Sequence, residues 1–103
     1  MTGPGSPRRR LEAVVGGRVQ GVGFRFHAAR AADRHGIVGW VANEPGGTVR
    51  VVGEGSEDAL RDWLAALRTG PAGAWVEQID ETWSAATGAF DDFEARSGWT
   101  SGD

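Results

Sequence analysis

The fold is decided by residues 10–36, which read RLEAVVGGRVQGVGFRFHAARAADRHG. Apolar side chains alternate with other residues from Arg10 to Val15, and this period of two predicts a β-strand. Four glycines then interrupt the alternation within residues 16–23. From Phe24 to His35 the apolar residues recur at helical spacing, and Gly36 follows at the position where helices commonly end. The stretch therefore predicts a strand, a glycine-rich turn and a helix.

The sequence beyond this stretch predicts three more strands and a second helix. Val38–Asn43 and Thr48–Gly53 are expected to form a hairpin around the turn at 44–47, which reads EPGG. Ser56 is expected to cap the second helix, whose apolar residues fall at i, i+3, i+4 and i+7: Leu60, Trp63, Leu64 and Leu67. Residues 74–82 alternate imperfectly, which indicates a bulged strand, and residues 90–96 leave room for a short edge strand.

The predicted order, β-α-β-β-α-β, is that of the α+β class with a ferredoxin-like split βαβ arrangement, in which two helices pack on an antiparallel sheet. Because many functions share this fold, the order alone predicts none of them. One domain is expected over residues 9–96. Residues 1–8 are predicted to be a disordered leader and residues 97–103 a flexible tail.

The composition excludes several classes of chemistry. The 103 residues include no cysteine, which excludes disulfides, thiolate metal sites and cysteine nucleophiles. No stretch approaches the ~20 apolar residues of a membrane span, and the first residues lack the apolar core of a signal peptide. The expectation is a soluble cytoplasmic protein that does not contact membranes.

The charge is divided unevenly along the chain. Residues 1–50 carry a balance of +5 and residues 51–103 a balance of −8, and all eleven basic residues are arginines. The net charge of −3 argues against general nucleic-acid binding, which needs a basic face. The basic first half leaves room for a small anionic ligand there, and any phosphate site must use guanidinium groups.

The glycine-rich turn is the strongest candidate for a binding site. Residues 17–25 read GRVQGVGFR, and such glycines let backbone N–H groups turn towards an anion at a helix N-terminus. Arg25 lies in the first helical turn, where its planar guanidinium can reach the same anion. The alternative is a tight turn with a surface arginine. The segment is neither a Walker loop, since the chain lacks lysine, nor a dinucleotide fingerprint, since the glycine spacing differs.

The remaining polar residues leave water as the simplest nucleophile. His27 and His35 are eight residues apart on one helix and cannot both bind one metal ion, and the acidic pairs are sequence neighbours that point apart. Attack by water on a bound phosphoryl group needs a neutral residue to position the water. Asn43 at the end of its strand is such a residue, although an asparagine that opens the hairpin turn is the alternative.

Two separated segments resemble the signatures of the acylphosphatase family. These are residues 17–25 and residues 36–43 (GIVGWVAN) followed by GTV at 47–49, within a match over about residues 9–96. The resemblance implies hydrolysis of an acyl phosphate to a carboxylate and inorganic phosphate, without metal or cofactor. It implies that Arg25 binds phosphate and that Asn43 orients the water. It also implies that the phosphate loop is formed by the backbone amides of Gln20, Gly21, Val22, Gly23 and Phe24.

Two other functions stay open at this point. One is a related module that handles carbamoyl phosphate in a maturation system, although such modules usually belong to larger chains with zinc-finger cysteines. The other is a non-catalytic ferredoxin-like module that binds a small anion or RNA. RNA binding requires exposed aromatic residues on central strands, whereas Trp40 is expected in the core. A monomer without nucleic-acid partners is the expectation.

Overall fold

The computed structural model describes residues 6–97, so most of the predicted leader and tail lies outside the described residues. Its elements are β1 (Arg8–Arg18), α1 (Phe24–Arg34), β2 (Val38–Asn43), β3 (Val49–Ser56), α2 (Glu57–Thr69), β4 (Trp75–Ala85) and β5 (Phe93–Ala95). Each predicted element is present, with strand ends shifted by a few residues. Neither described helix is long enough to cross a membrane.

The strands form one sheet in the order β4-β1-β3-β2-β5. β1 pairs antiparallel with both β3 and β4, and β2 pairs antiparallel with β3. This confirms the predicted α+β split βαβ arrangement. The short fifth strand is also confirmed, but β5 runs parallel to β2, so the sheet is mixed.

A bulge lies between β1 and β4 just before the glycine-rich turn. The register between β1 and β4 shifts between Gly16 and Gly17, so that Glu77 is an extra residue on β4. Gly17 has a φ of 127°, and a Cβ there would lie 2.1 Å from the carbonyl oxygen of Trp75. Such a bulge bends the strand that carries the extra residue and increases the local twist, at the point where β1 leads into the loop before α1.

The core lies between one face of the sheet and the two helices. Trp63 of α2 is fully buried, and its indole N–H donates a 3.0 Å hydrogen bond to the carbonyl of Ala28 in α1. The predicted cap of α2 is confirmed, because Ser56 Oγ accepts from the backbone N–H of Ala59. The core residues of the sheet are Leu11, Ala13, Val15, Val41, Val49 and Val51.

The expectation that Trp40 lies in the core is wrong. Trp40 pairs with Val52 on the face of the sheet opposite the helices, where it is half-buried and the guanidinium carbon of Arg96 lies 4.5 Å from the ring centroid. The helix side next to it is filled by Trp63, since a Cβ on Gly53 would come within 2.4 Å of that indole. A second tryptophan has no room there.

A buried carboxylate fixes the connection from β4 to β5, which joins opposite edges of the sheet. Glu54 is 1% exposed and accepts hydrogen bonds from Arg10 Nε at 2.8 Å, Thr87 N at 3.0 Å, Thr87 Oγ1 at 2.8 Å and Gly88 N at 2.9 Å. Burial raises the pKa of Glu54, but these bonds outweigh burial and hold its pKa at about 2. The segment that leads to β5 is therefore anchored by a charged group.

Candidate active site

The loop between β1 and α1 presents unpaired backbone N–H groups. Gly21 and Gly23 have φ values of 75° and 81°, and a Cβ at either position would meet nothing within 4 Å. Glycine is therefore required by the backbone conformation and not by crowding. Within residues 6–97, the N–H groups of residues 20–24 have no hydrogen-bond acceptor, and no side chain caps α1. These donors are available to an anion at the helix N-terminus.

Arg25 lies next to this loop in the first turn of α1. It is half-buried, and its Nη1 donates a hydrogen bond to the backbone carbonyl of Arg96. Among the described residues no carboxylate pairs with Arg25. Since a guanidinium carries five N–H donors, the contact with Arg96 leaves most of them for a ligand.

Asn43 ends β2 on the same side of the sheet as the two helices. Its neighbour in the ladder is Val49, a core residue. In the part of the chain that the structure describes, the side-chain amide of Asn43 makes no hydrogen bond. The hairpin turn is instead closed by Glu44 and Thr48, through a 2.8 Å backbone bond and a 2.9 Å bond from Thr48 Oγ1 to Glu44 Oε1.

A small cavity brings Arg25 and Asn43 together. Its volume is about 90 Å³. It is lined by Val19, Gly21, Gly23, Phe24, Arg25, Phe26 and Asn43. Three of the five predicted loop residues therefore line the same concavity as the two predicted catalytic side chains.

Gln20 has a role that the sequence did not predict. Its side-chain Nε2 donates to the carbonyl of Glu44 at 2.9 Å and to the carbonyl of Thr48 at 2.8 Å. The phosphate-loop candidate is thus tied to the hairpin turn that follows Asn43. The sequence signal for this role is a polar side chain between Val19 and Gly21, at a position where the family resemblance implies only a backbone contact. Val22, the other loop residue, lines a neighbouring cavity.

The carboxylate of Glu44, the residue after Asn43, is paired with the guanidinium of Arg50. Arg50 Nε donates to Glu44 at 2.6 Å, and Arg50 Nη1 also pairs with Glu12. Burial raises the pKa of Glu44, but the hydrogen bonds of Arg50 and Thr48 and the charge of Arg50 outweigh it and lower the pKa. A carboxylate held in this way is a weak base, so Glu44 is poorly suited to accept a proton from water.

The two histidines contact backbone carbonyl groups of the helices. His27 Nε2 lies 2.9 Å from the carbonyl oxygen of Ala66, which joins α1 to α2. His35 forms the C-cap of α1, where its backbone N–H donates to the carbonyls of Ala31 and Ala32. Within residues 6–97 no group of three His, Cys, Asp or Glu residues is arranged to hold a metal ion.

Comparison with known proteins gives a consistent result. The family model described as Acylphosphatase matches residues 11–95. A protein from Salinibacter ruber named acylphosphatase is 47% identical over 88 residues, which is 85% of this chain and 93% of that protein. The crystal structure of an acylphosphatase from Bacillus subtilis matches with a TM-score of 0.83 at 34% identity, over 85% of this chain and 98% of that one. Full-length HypF, crystallised in a phosphate- and nucleotide-bound form, matches with a TM-score of 0.83 over 98% of this chain and 13% of its own; at 22% identity it shows the fold alone.

Proposed function

The chain belongs to the acylphosphatase family, and on that premise we propose how its residues hydrolyse acyl phosphates to a carboxylate and inorganic phosphate. The observation that carries the proposal is the small cavity lined by both Arg25 and Asn43 beside the unpaired loop amides. One side of this cavity supplies positive charge and N–H donors, and the other supplies a neutral amide.

The phosphoryl group binds to the loop and to Arg25. The N–H groups of residues 20–24 and the positive end of α1 point to the phosphoryl oxygens, and Arg25 adds charged donors to the same oxygens. These groups are fixed before the substrate arrives, so they stabilise the charge on the transferring group without rearranging. The cavity, of about 90 Å³, has room for a phosphoryl group.

Asn43 orients the attacking water. The side-chain oxygen accepts a hydrogen bond from the water, and the absence of charge on the amide avoids repulsion with the phosphoryl oxygens. The water oxygen forms a bond to phosphorus while the bond between phosphorus and the acyl oxygen breaks. The carboxylate leaves with the electron pair, and both protons of the water stay with the phosphate product as dihydrogen phosphate. The leaving group needs no proton, so the site needs no general acid.

The two other functions have less support. Trp40 lies on the face of the sheet opposite the helices. However, the guanidiniums of Arg10 and Arg50 on that face are paired with Glu54 and with Glu12 and Glu44, which opposes binding of RNA phosphates. The HypF match covers only a small part of that protein. A cytoplasmic monomer without nucleic-acid partners stays a prediction from the sequence.

Isotope labelling tests the proposed chemistry directly. Acetyl phosphate is hydrolysed by the full chain in water enriched in oxygen-18, and the phosphate and acetate products are analysed by mass spectrometry. Attack at phosphorus incorporates the label into phosphate only. Label in acetate would mean attack at the carbonyl carbon, and it would overturn the proposed role of Asn43 and the loop.

A further inference from the structure

A second, larger cavity adjoins the phosphoryl site. Its volume is about 350 Å³. It shares Gly23 and Phe26 with the small cavity that holds Arg25 and Asn43. Its lining residues are Val22, Gly23, Phe26, His27, Arg30, Arg34 and Pro71. A substrate whose phosphoryl group fills the small cavity would extend its acyl group into this space.

The charges of this second cavity are not neutralised. Arg30 and Arg34 are exposed, and among the described residues neither side chain forms an ion pair or a hydrogen bond. By contrast, Arg10, Arg50 and Arg61 each pair with a glutamate. No acidic residue lines the cavity. Two guanidiniums one helical turn apart therefore face a space without a counter-charge.

The spacing along α1 fits a short acyl chain. Phe26 is 67% exposed and lies between the two cavities, so its ring offers an apolar wall to methylene groups. With a rise of about 1.5 Å per residue, Arg30 lies roughly 6 Å beyond Phe26 along the helix axis and Arg34 roughly 12 Å beyond it. An acyl chain of about four or five carbons spans the first of these distances, and the flexible arginine side chains cover the rest.

We propose that the cavity of Phe26, Arg30 and Arg34 is a subsite for the acyl group, and that it selects acyl phosphates whose far end carries a second anion. The inference rests on the proposed function of the phosphoryl site. Methylene groups pack on Phe26, and the terminal carboxylate or phosphate binds the two guanidiniums. The carboxylate and the phosphate are both anionic end groups, and a separate probe for each one distinguishes them.

The test compares substrates that have three methylene groups between the reacting carbonyl and the end group. The probes are glutaryl phosphate, pentanoyl phosphate, which has a methyl group in place of the carboxylate, and 4-phosphonooxybutanoyl phosphate. The ratio of kcat/KM for each anionic probe to that for pentanoyl phosphate is measured at low ionic strength. The variants are Arg30→Gln, Arg34→Gln and their combination, and Arg68→Gln on α2 is the matched control, since it is also an exposed helical arginine.

The ratio is expected to favour the anionic probes in the unmodified chain. Each substitution at Arg30 or Arg34 should lower it by roughly threefold to fivefold, as expected for an exposed ion pair, while pentanoyl phosphate hydrolysis changes little. Arg68→Gln should leave the ratio unchanged. Phe26→Ala should lower kcat/KM for pentanoyl phosphate by a larger factor than kcat/KM for acetyl phosphate, because Phe26 lines both cavities but only the longer acyl chain packs along its ring.

The two possible failures are distinguishable. An equal ratio in the unmodified chain and in the double variant, with both probes still hydrolysed in an Arg25-dependent manner, would overturn the subsite and leave the proposed function standing. Hydrolysis of every probe without dependence on Arg25 would overturn the proposed function itself.

Discussion

The guanidinium of Arg25 is hydrogen-bonded to the backbone carbonyl of Arg96, which follows β5. Arg96 is in turn held to β2, because its N–H donates to the carbonyl of Val41 at 2.8 Å. A carbonyl oxygen orients the guanidinium without a formal negative charge, whereas a carboxylate in its place would compete with the substrate. The last strand of the sheet thus positions the arginine and leaves its positive charge available.

Arg25→Lys is expected to lose most activity although the charge is kept. A lysine offers a point charge and cannot contact Arg96 and two phosphoryl oxygens in one plane. The expected loss in kcat/KM for acetyl phosphate corresponds to roughly 2–4 kcal/mol of transition-state stabilisation. Inhibition by inorganic phosphate should weaken in parallel. Arg68→Lys on α2 is the control, and near-normal turnover of the Arg25 variant would contradict the proposed site.

Asn43→Ala is expected to lower kcat strongly while phosphate inhibition and thermal stability stay nearly unchanged. The side chain has no hydrogen-bond partner among the described residues, so its removal breaks no hydrogen bond there. Loss of water positioning can be worth several kcal/mol. A residue that shapes the turn would behave differently, with a stability loss of about 1 kcal/mol and normal kcat. That second outcome, seen in kinetics and melting of the same variant, would remove Asn43 from the mechanism.

Gln20→Met is expected to reduce both stability and turnover. Methionine has a similar length but cannot donate to the carbonyls of Glu44 and Thr48. Losing these bonds should lower the free energy of unfolding by about 1–2 kcal/mol. The hairpin that carries Asn43 then moves relative to the loop, so kcat should fall while the inhibition constant for phosphate changes less. Gln78→Met on the exposed face of β4 is the control, and a normal kcat at Gln20→Met would show that the contact is only structural.

Acid is expected to destabilise the chain through Glu54. Its pKa in the folded chain, about 2, lies below the ordinary 4.5, so the unfolded chain binds the proton more readily. The stabilisation is present above pH 4.5 and is lost as the pH falls towards 2, by about 3 kcal/mol in free energy of unfolding. Denaturant titrations at several pH values measure this. Glu54→Gln should be less stable at pH 7, and its free energy of unfolding should fall less as the pH drops from 4.5 towards 2. A fall as large as that of the unmodified chain would refute the assignment.

Activity is expected to persist after exhaustive treatment with EDTA and with thiol reagents. The proposed steps use guanidinium, backbone N–H and amide groups, and the chain has no cysteine for a thiol reagent to modify. The measurement is phosphate release from acetyl phosphate before and after treatment. Activity that disappeared with EDTA and returned with Mg²⁺ would show that the phosphoryl charge is neutralised by a metal ion.

The fold was predictable from the sequence where the pattern was local. The apolar spacing of α2 and the Ser56 cap involve neighbours in the chain, and both are confirmed. The pairing of β5 was not predictable, because three residues contact a strand more than fifty positions earlier. Trp40 was misassigned because both faces of β2 carry apolar residues, and only the position of Trp63 in α2 decides which face has room.

The candidate site was predictable in part for a similar reason. Arg25 and the loop glycines lie within one short segment whose chemistry is visible in the residue types. The contact of Arg25 with Arg96 uses a backbone carbonyl, which every residue has, so no residue type signals it. The side-chain bonds of Gln20 depend on where the hairpin turn lies in space. Such contacts follow from the assembled sheet and not from the local sequence.

The strand β4 affects whether two copies of this chain can pair through their sheets at high concentration. Among residues 6–97 it pairs only with β1 and forms a long open edge of the sheet. An open edge invites pairing with a strand of another molecule. Glu77 at the bulge and the exposed Asp80 interrupt this edge with negative charge. Two such edges in antiparallel contact would bring like charges together at an irregular register. Negative charge on this edge therefore disfavours such pairing.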